Sequence, residues 1–290
     1  MSKQPSVSIV LPALNEAQSL AKLLPELKKS FPDHEILVIN DGSTDNTISV
    51  CQENGVKVLS YPYSQGNGAA IKHGCRHARG DIIVFMDADG QHSVDDIPQL
   101  LAKLEEGYDM VVGARCAETH SSILKRFGNT FFNRFSSLMA GHNIMDLTSG
   151  FRAVKKDIFR KFLYLMPNGF SYPTTSTMAF FRSGHPVAYI PISARQRTQG
   201  TSSNINVLKD GIRFLVIILK IGALFSPMRL FLPISLMFFL MGTGYYAYTY
   251  FSFSRFTNMS ALLYISSLMV FLIGILSEQV ASLHYKDSSN

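Results

Sequence analysis

Two stretches near the C-terminus contain no acidic or basic side chain: Leu230 to Ser254, and Phe256 to Ser277. At about 25 and about 22 residues, each is long enough as a helix to cross a hydrocarbon core of about 30 Å. The residues from Ser252 to Asn258 read as a short outer turn carrying only Arg255. The chain is therefore expected to end in a membrane hairpin over residues 227–290, with spans at about 230–252 and 258–280. Ser226-Pro227 breaks the chain just ahead of it. In residues 205–226, Lys209, Arg213 and Lys220 fall within about 40° on a helical wheel, with apolar side chains over much of the rest. Such a helix is expected to lie in the membrane interface. Residues 1–204 read as a globular domain.

Composition excludes several classes. Of the 290 residues, 47% are apolar and the net charge is +6, too apolar and too weakly charged for a disordered chain. No long Lys/Arg run, base-stacking set or zinc-finger spacing is present, so nucleic acid is not the expected partner. The basic residues lie near the apolar segments instead, which suits an anionic bilayer surface. Their bias to the domain side implies that the domain and both termini face the cytosol. Cys51, Cys75 and Cys116 form no C-x-x-C pair, which fits reduced thiols in that compartment. The N-terminus runs directly into a strand pattern without an apolar signal core.

In the front domain, β-rich runs at Val7–Leu11, Glu35–Ile39, Val56–Ser60, Ile82–Met86 and Asp109–Gly113 alternate with helical patterns at Glu16–Ser30, Thr44–Glu53, Gly68–Arg79 and Asp95–Glu106. This alternation predicts an α/β fold with a mostly parallel sheet covered by helices. Ligands of such sheets sit beyond the carboxyl ends of the strands, and the polar motifs follow the strands. Pro12-Ala-Leu-Asn-Glu16 follows the first. Asn40-Asp-Gly-Ser-Thr-Asp45 follows the second, where Ser43 or Thr44 is expected to cap the next helix. Asp87-Ala-Asp-Gly-Gln91 follows the fourth; two carboxylates one residue apart can share a divalent ion, and hard oxygen ligands suit Mg²⁺ or Mn²⁺.

Together with Gly66-Asn-Gly-Ala-Ala70 and Asp146-Leu-Thr-Ser-Gly-Phe-Arg152, these segments stand in the order seen in family 2 glycosyltransferases. The chain most resembles the polyprenyl-phosphate branch, including its closing hairpin. The resemblance implies a GT-A fold that transfers a sugar from a nucleotide-sugar to a lipid phosphate such as undecaprenyl or dolichyl phosphate. It places Pro12, Leu14, Asn15, Glu16 and Asp41 around the nucleotide, with Asp87, Ala88, Asp89 and Arg197 on the donor diphosphate. Asp87, Asp89 and Gln91 would hold the metal. Arg115, Arg126 and Thr130 would contact the acceptor phosphate, with Arg134 joining them by its place on the same helix face; Asp146, Ser149 and Arg152 would form a sugar-side loop. Leu14 stands where many relatives carry an aromatic residue, and Asn67 where many carry a Lys in the Gly-rich turn. The resemblance also allows a homo-oligomer through the membrane helices.

The chemistry fits these residue types. A leaving nucleotide diphosphate gains negative charge, which a cation and Arg197 would stabilise. A lipid phosphate is already an anionic nucleophile, so no carboxylate base is required, and attack from the face opposite the leaving group inverts the anomeric centre. Arg126, Thr130 and Arg134 recur every fourth residue beside a stripe of Phe127, Phe131 and Phe135, which reads as a phosphate-binding face along an apolar track or as core packing with solvated arginines. His73 and His77 have a zinc-compatible spacing but no evident third ligand. His92 reads equally as a neighbour of the diphosphate or as a solvated loop residue. Glu278 reads as an interfacial group or as the partner of an arginine. Two other functions compete with the transferase: a processive polysaccharide synthase, which would need a Gln-x-x-Arg-Trp platform that a chain without Trp lacks, and an inactive nucleotide-binding membrane scaffold.

Overall fold

Val7–Ala13, rich in β-branched residues, forms strand β1 in a computed structural model that describes residues 5–115, 133–134, 136–169, 171–192, 220 and 222–286. Helix α1 (Ala17–Ser30) follows, burying Leu20, Leu23, Leu24 and Leu27 along one face. Then come β2 (Glu35–Asn40), α2 (Thr47–Glu53), β3 (Lys57–Ser60), α3 (Asn67–His77) and β4 (Ile82–Phe85). A 3₁₀ turn at Val94–Asp96 leads into α4 (Ile97–Glu105) and β5 (Met110–Arg115). After it lie β6 (Arg152–Lys155), α5 (Lys156–Lys161), α6 (Tyr172–Arg182) and β7 (Val187–Ile192).

The seven strands form one sheet in the order β3-β2-β1-β4-β6-β5-β7. All run parallel except β6, which is antiparallel to both β4 and β5. The mostly parallel sheet expected from the alternating pattern is therefore present. Strands β6 and β7 were not legible in it: β6 is four residues long, begins with Arg152, and inserts out of sequence order between β4 and β5. Because β1 lies between β2 and β4, chain order reverses beside it, and the crevice at the carboxyl ends of β1 and β4 is the switch point of the sheet.

Two local expectations are corrected. Neither Ser43 nor Thr44 caps α2: Asn46 holds the N-cap position without a side-chain cap, and Asp45 just before it accepts from the Thr47 N–H at 3.0 Å and the Thr47 hydroxyl at 2.5 Å. Helix α4 begins at Ile97 rather than Asp95, because Ser93 caps the intervening 3₁₀ turn by accepting from the Asp95 N–H. Cys51 and Cys75 are buried, and burial pushes their thiols up to about 11 and about 12. Cys116 lies outside the described residues.

A second compact unit comprises residues 136–141 and 205–290. Its helices α7 (Pro227–Phe253) and α8 (Asn258–Lys286) agree with the expected hairpin, with Pro227 at the first helical position, where a missing N–H costs nothing. The apolar side chains of both helices are largely uncovered, as a lipid-facing surface requires and the core helix of a water-soluble protein does not show. Ser235 and Ser267 join the helices by donating their hydroxyls to each other's carbonyl, both at 2.9 Å. Aromatic residues Tyr245, Tyr248, Tyr250, Phe251, Phe253 and Phe256 gather at the turn end, the composition of a membrane–water boundary. Glu278 accepts from the Met228 N–H at 3.2 Å and so satisfies a backbone donor in the first turn of α7. The proposed interfacial helix at 205–226 falls almost wholly outside the described residues; within it, residues 222–225 are helical.

Candidate functional site

Beyond the carboxyl ends of β1 and β4 lies a cleft of about 420 Å³ lined by Pro12, Leu14, Glu16, Asp41, Asn67, Asp87, Ala88 and Asp89, among others. Seven of the nine residues expected around the donor thus meet in one concavity, although they are dispersed over nearly eighty positions of sequence.

The loops after β1 and β2 are laced together. Asn15 adopts a left-handed conformation (φ 57°), donates its N–H to Ser43 Oγ at 2.9 Å, and accepts from the Thr44 N–H through Oδ1 at 2.8 Å. The Ala17 N–H donates to Asp45 Oδ2 at 3.1 Å. Burial opposes the charge of Asp45, but hydrogen bonds from Thr47 and from backbone N–H groups more than offset it and hold the carboxyl below its ordinary value. Asn15 thus acts as a brace between two loops.

Asp41 is 4% exposed and also has a structural task. Its carboxylate accepts from Ser64 Oγ at 2.7 Å and from the N–H groups of Gln65 and Gly66 at 2.7 and 2.9 Å, pinning the turn before α3. Ser64 was missed by sequence reasoning, and only its position just beyond β3 pointed to it. An amide at position 41 would turn an NH₂ toward these donors. Asp41→Asn is expected to cost about 2–3 kcal/mol of stability and to raise the KM for the donor about tenfold, measured by thermal unfolding and initial rates.

The Gly-rich turn is not an open phosphate cradle. At the N-terminus of α3, the N–H groups of Gly68 and Ala69 donate to the carbonyls of Gly169 and Asn168 at 3.2 and 2.8 Å. Lys72 anchors the same segment through Met166 O and Asn168 Oδ1.

Asp87 and Asp89 stand just past β4. Asp89 Oδ1 accepts from the Gln91 N–H at 3.1 Å, and Asp87 Oδ2 lies 3.6 Å from His92 Nε2. His92 is 6% exposed and stacks on Phe151 with ring centroids 4.9 Å apart, so it is not a solvated loop residue. A Cβ at Gly150 would lie 2.8 and 3.0 Å from the Asp87 carboxylate oxygens. The missing side chain at 150 is what makes room for Asp87. Gly150 lies inside the Asp146–Arg152 motif, so the signal was present in the sequence without its meaning.

Two arginines differ from expectation. Arg152 is not on an exposed sugar-side loop: it is fully buried, donating to Ser149 O, Pro173 O, Ser176 Oγ and Thr177 Oγ1, and burial lowers its pKa. Arg115, expected on the acceptor phosphate, is bidentate to Asp146 at 2.9 and 3.2 Å and also donates to Thr148 Oγ1. Burial opposes the charge of Arg115, but Asp146, with Asp87 and Asp89 beyond it, outweighs burial and raises its pKa. For Asp146, likewise, burial is outweighed by Arg115 and by backbone donors, and its carboxyl is held down. The stabilisation from this pair is complete above the ordinary Asp value of 3.8 and is lost as pH falls through the lower folded value. Thermal unfolding measured from neutral pH down through this window should show a steep decline that Asp146→Asn flattens.

Ser149 is 1% exposed, while Arg134 is exposed. Arg126, Thr130, Arg197 and the Phe127, Phe131 and Phe135 stripe lie outside the described residues. His73 packs between Tyr61 and His77 at centroid distances of 4.8 and 4.5 Å. Among the described residues no three His, Cys, Asp or Glu side chains cluster as a metal site. Asp87 and Asp89 both line the cleft, and their carboxylates are the hard oxygen donors that a cation such as Mg²⁺ or Mn²⁺ takes.

With this geometry established, comparison with known proteins is informative. Glycosyltransferase AglJ of Haloferax volcanii is 27% identical over 96% of this chain and 95% of its own. An undecaprenyl-phosphate 4-deoxy-4-formamido-L-arabinose transferase of Shewanella sediminis is 30% identical over 68% of this chain and 61% of its own. Glucosyl-3-phosphoglycerate synthase of Mycobacterium tuberculosis, solved with Mn²⁺ and UDP-glucose, superposes with a TM-score of 0.58 at 22% identity, covering 74% of this chain and 77% of that one; it shares the fold. Residues 226–283 match the GtrB C-terminal hairpin. Residues 8–163, more than half of the chain, match the profile of glycosyl transferase family 2, and the chain belongs to that family and is a glycosyltransferase.

Proposed function

We propose that the protein transfers a sugar from a nucleotide-sugar to a polyprenyl phosphate at the cytosolic face of a membrane, with inversion at the anomeric carbon. The observation that carries this reading is the union, in one chain, of a two-carboxylate cleft at the sheet's switch point with a hairpin whose apolar helices lie uncovered. The undecaprenyl-phosphate acceptor in the name of the Shewanella sediminis relative supports it.

In this reading Pro12, Leu14, Asn15 and Glu16 receive the nucleoside, with the 45% exposed Leu14 offering an apolar surface to the base. Asp41 acts by holding the adjoining turn in shape. Asp87, Asp89 and Gln91 hold Mg²⁺ or Mn²⁺, which when bound neutralises charge on the diphosphate. Arg197 adds positive charge to the departing nucleotide. Arg126, Thr130 and Arg134 hold the lipid phosphate for attack. A phosphate oxygen bonds to the anomeric carbon from one side as the bond to the diphosphate breaks on the other. Positioning and charge neutralisation supply the rate, so no side chain need remove a proton. Arg115 acts through Asp146, orienting the loop that carries Gly150. Residues 1–204 form the catalytic domain, 205–226 the interfacial helix and 227–290 the anchor.

The test incubates purified protein with Mn²⁺, a panel of radiolabelled nucleotide-sugars and a short polyprenyl phosphate. An organic-extractable, mild-acid-labile product that declines in Arg126→Ala at subsaturating acceptor is the expected result. Nucleotide binding without such a product from any donor would refute the reading.

A further inference from the structure

Gly68 and Lys72 lie one turn apart on α3 and share a face of that helix. The chain Pro167-Asn-Gly169 packs against the start of this face. A Cβ on Gly68 would overlap Pro167 O, and a Cβ on Gly66 (φ +101°) would stand 2.7 Å from Asn168 O. No side chain fits at either position, so both glycines serve a close approach of backbone to backbone. The first N–H groups of α3 are already donated to this chain. Lys72 adds its ammonium, bonded to Met166 O at 3.2 Å and to Asn168 Oδ1.

Packing alone does not explain a lysine at 72. The residue is half-buried, and neither of these two acceptors is a carboxylate. Burial, with the charge of Arg76 beside it, lowers the Lys72 pKa. Methionine, of similar length and helix propensity, would cover the same surface without desolvating a charge. What the lysine adds is an attachment for residues 166–169. These border the cleft, because Asn168 O lies beside Gly66, and Gly66 and Asn67 line it. Further along, the Tyr172 hydroxyl donates to the carbonyl of Gly150, the residue whose missing side chain makes room for Asp87. The same stretch of chain therefore supports the Gly-rich wall of the cleft and the place of its acidic motif.

We propose that Lys72 is a positioning residue for the nucleotide-sugar, a clasp that pins residues 166–169 to α3 and so holds the Gly66–Asn67 wall in the shape that receives the donor. This rests on the reading of the cleft as the donor site and is independent of the acceptor. Lys72 does not line the cleft. It acts through Asn168 and Gly66.

The experiment titrates the full chain in detergent micelles with UDP, GDP, CDP, ADP and dTDP in the presence of Mn²⁺, by calorimetry. The nucleotide that binds most tightly is carried through the variants. Lys72→Met should weaken its binding about tenfold, the loss expected for hydrogen bonds from a charged donor, with little change in unfolding temperature. Lys72→Arg, which keeps a cation able to donate to both oxygens, should restore most of the affinity, and Asn168→Ala should lose part of it. Unchanged affinity in Lys72→Met, while Asp89→Ala loses Mn²⁺-dependent binding, overturns the clasp and leaves the donor cleft standing. A loss in Lys72→Met that follows the unfolding temperature and is not restored by arginine does the same. Binding that survives both Asp89→Ala and Lys72→Met, or that the unaltered protein shows with none of the nucleotides, overturns the donor reading and this inference with it.

Discussion

Alanine in place of Asp89 is expected to lower sugar transfer by about 10³-fold, the loss that follows when a charge-stabilising group is removed from a developing anion. Asp89 lines the cleft, and its carboxylate organises the following turn by accepting from the Gln91 N–H. In the proposed reading its removal takes away a carboxylate ligand of the cation and frees the turn that carries Gln91. Mn²⁺ titration by isothermal calorimetry in the presence of nucleoside diphosphate separates this from misfolding, because metal affinity should fall while the unfolding temperature hardly moves. Undiminished glycolipid synthesis in Asp89→Ala would refute the assignment of the acidic motif.

Gly150→Ala tests the same centre from the other side. The new methyl would sit 2.8 Å from Asp87 Oδ2, closer than any real Cβ contact allows. The backbone around Gly150 cannot easily retreat, since the Tyr172 hydroxyl holds Gly150 O at 3.0 Å and buried Arg152 holds Ser149 O. The carboxylate must move instead. A shift of about 1 Å at a group that orients the reaction costs about 10²-fold in rate. The check is kcat together with Mn²⁺ affinity, both of which should fall. A variant with unchanged kcat would show that Asp87 does not need its observed position.

Much of the fold was legible because it rests on local patterns. The leucines of α1 recur at helical spacing and point to one side whatever they pack against. The acidic motif lay at a strand end, where an α/β sheet presents its ligand groups. Arg152 misleads for the opposite reason. In sequence it is a cation beside a Gly turn, as a binding loop would have, yet three of its acceptors, Pro173, Ser176 and Thr177, lie on α6 and become its neighbours only in the folded domain. Arg115 and Asp146 are a comparable case, separated by thirty-one positions and joined only in the folded domain.

Sequence alone determined that this chain has an alternating strand–helix domain followed by two apolar helices long enough to span a membrane, and that carboxylates stand at the rim of its sheet. Hydrophobic periodicity, span length and strand-end motifs are properties of neighbouring residues and survive without a tertiary context. Only the tertiary structure decided which polar groups are spent on the protein itself: Asp41 on the turn before α3, Arg152 on the core, Arg229 on a helix end, and Glu278 on a backbone N–H. A buried or helix-end polar group must find a partner, and that partner can lie anywhere along the chain, so its identity is a matter of packing and not of sequence spacing.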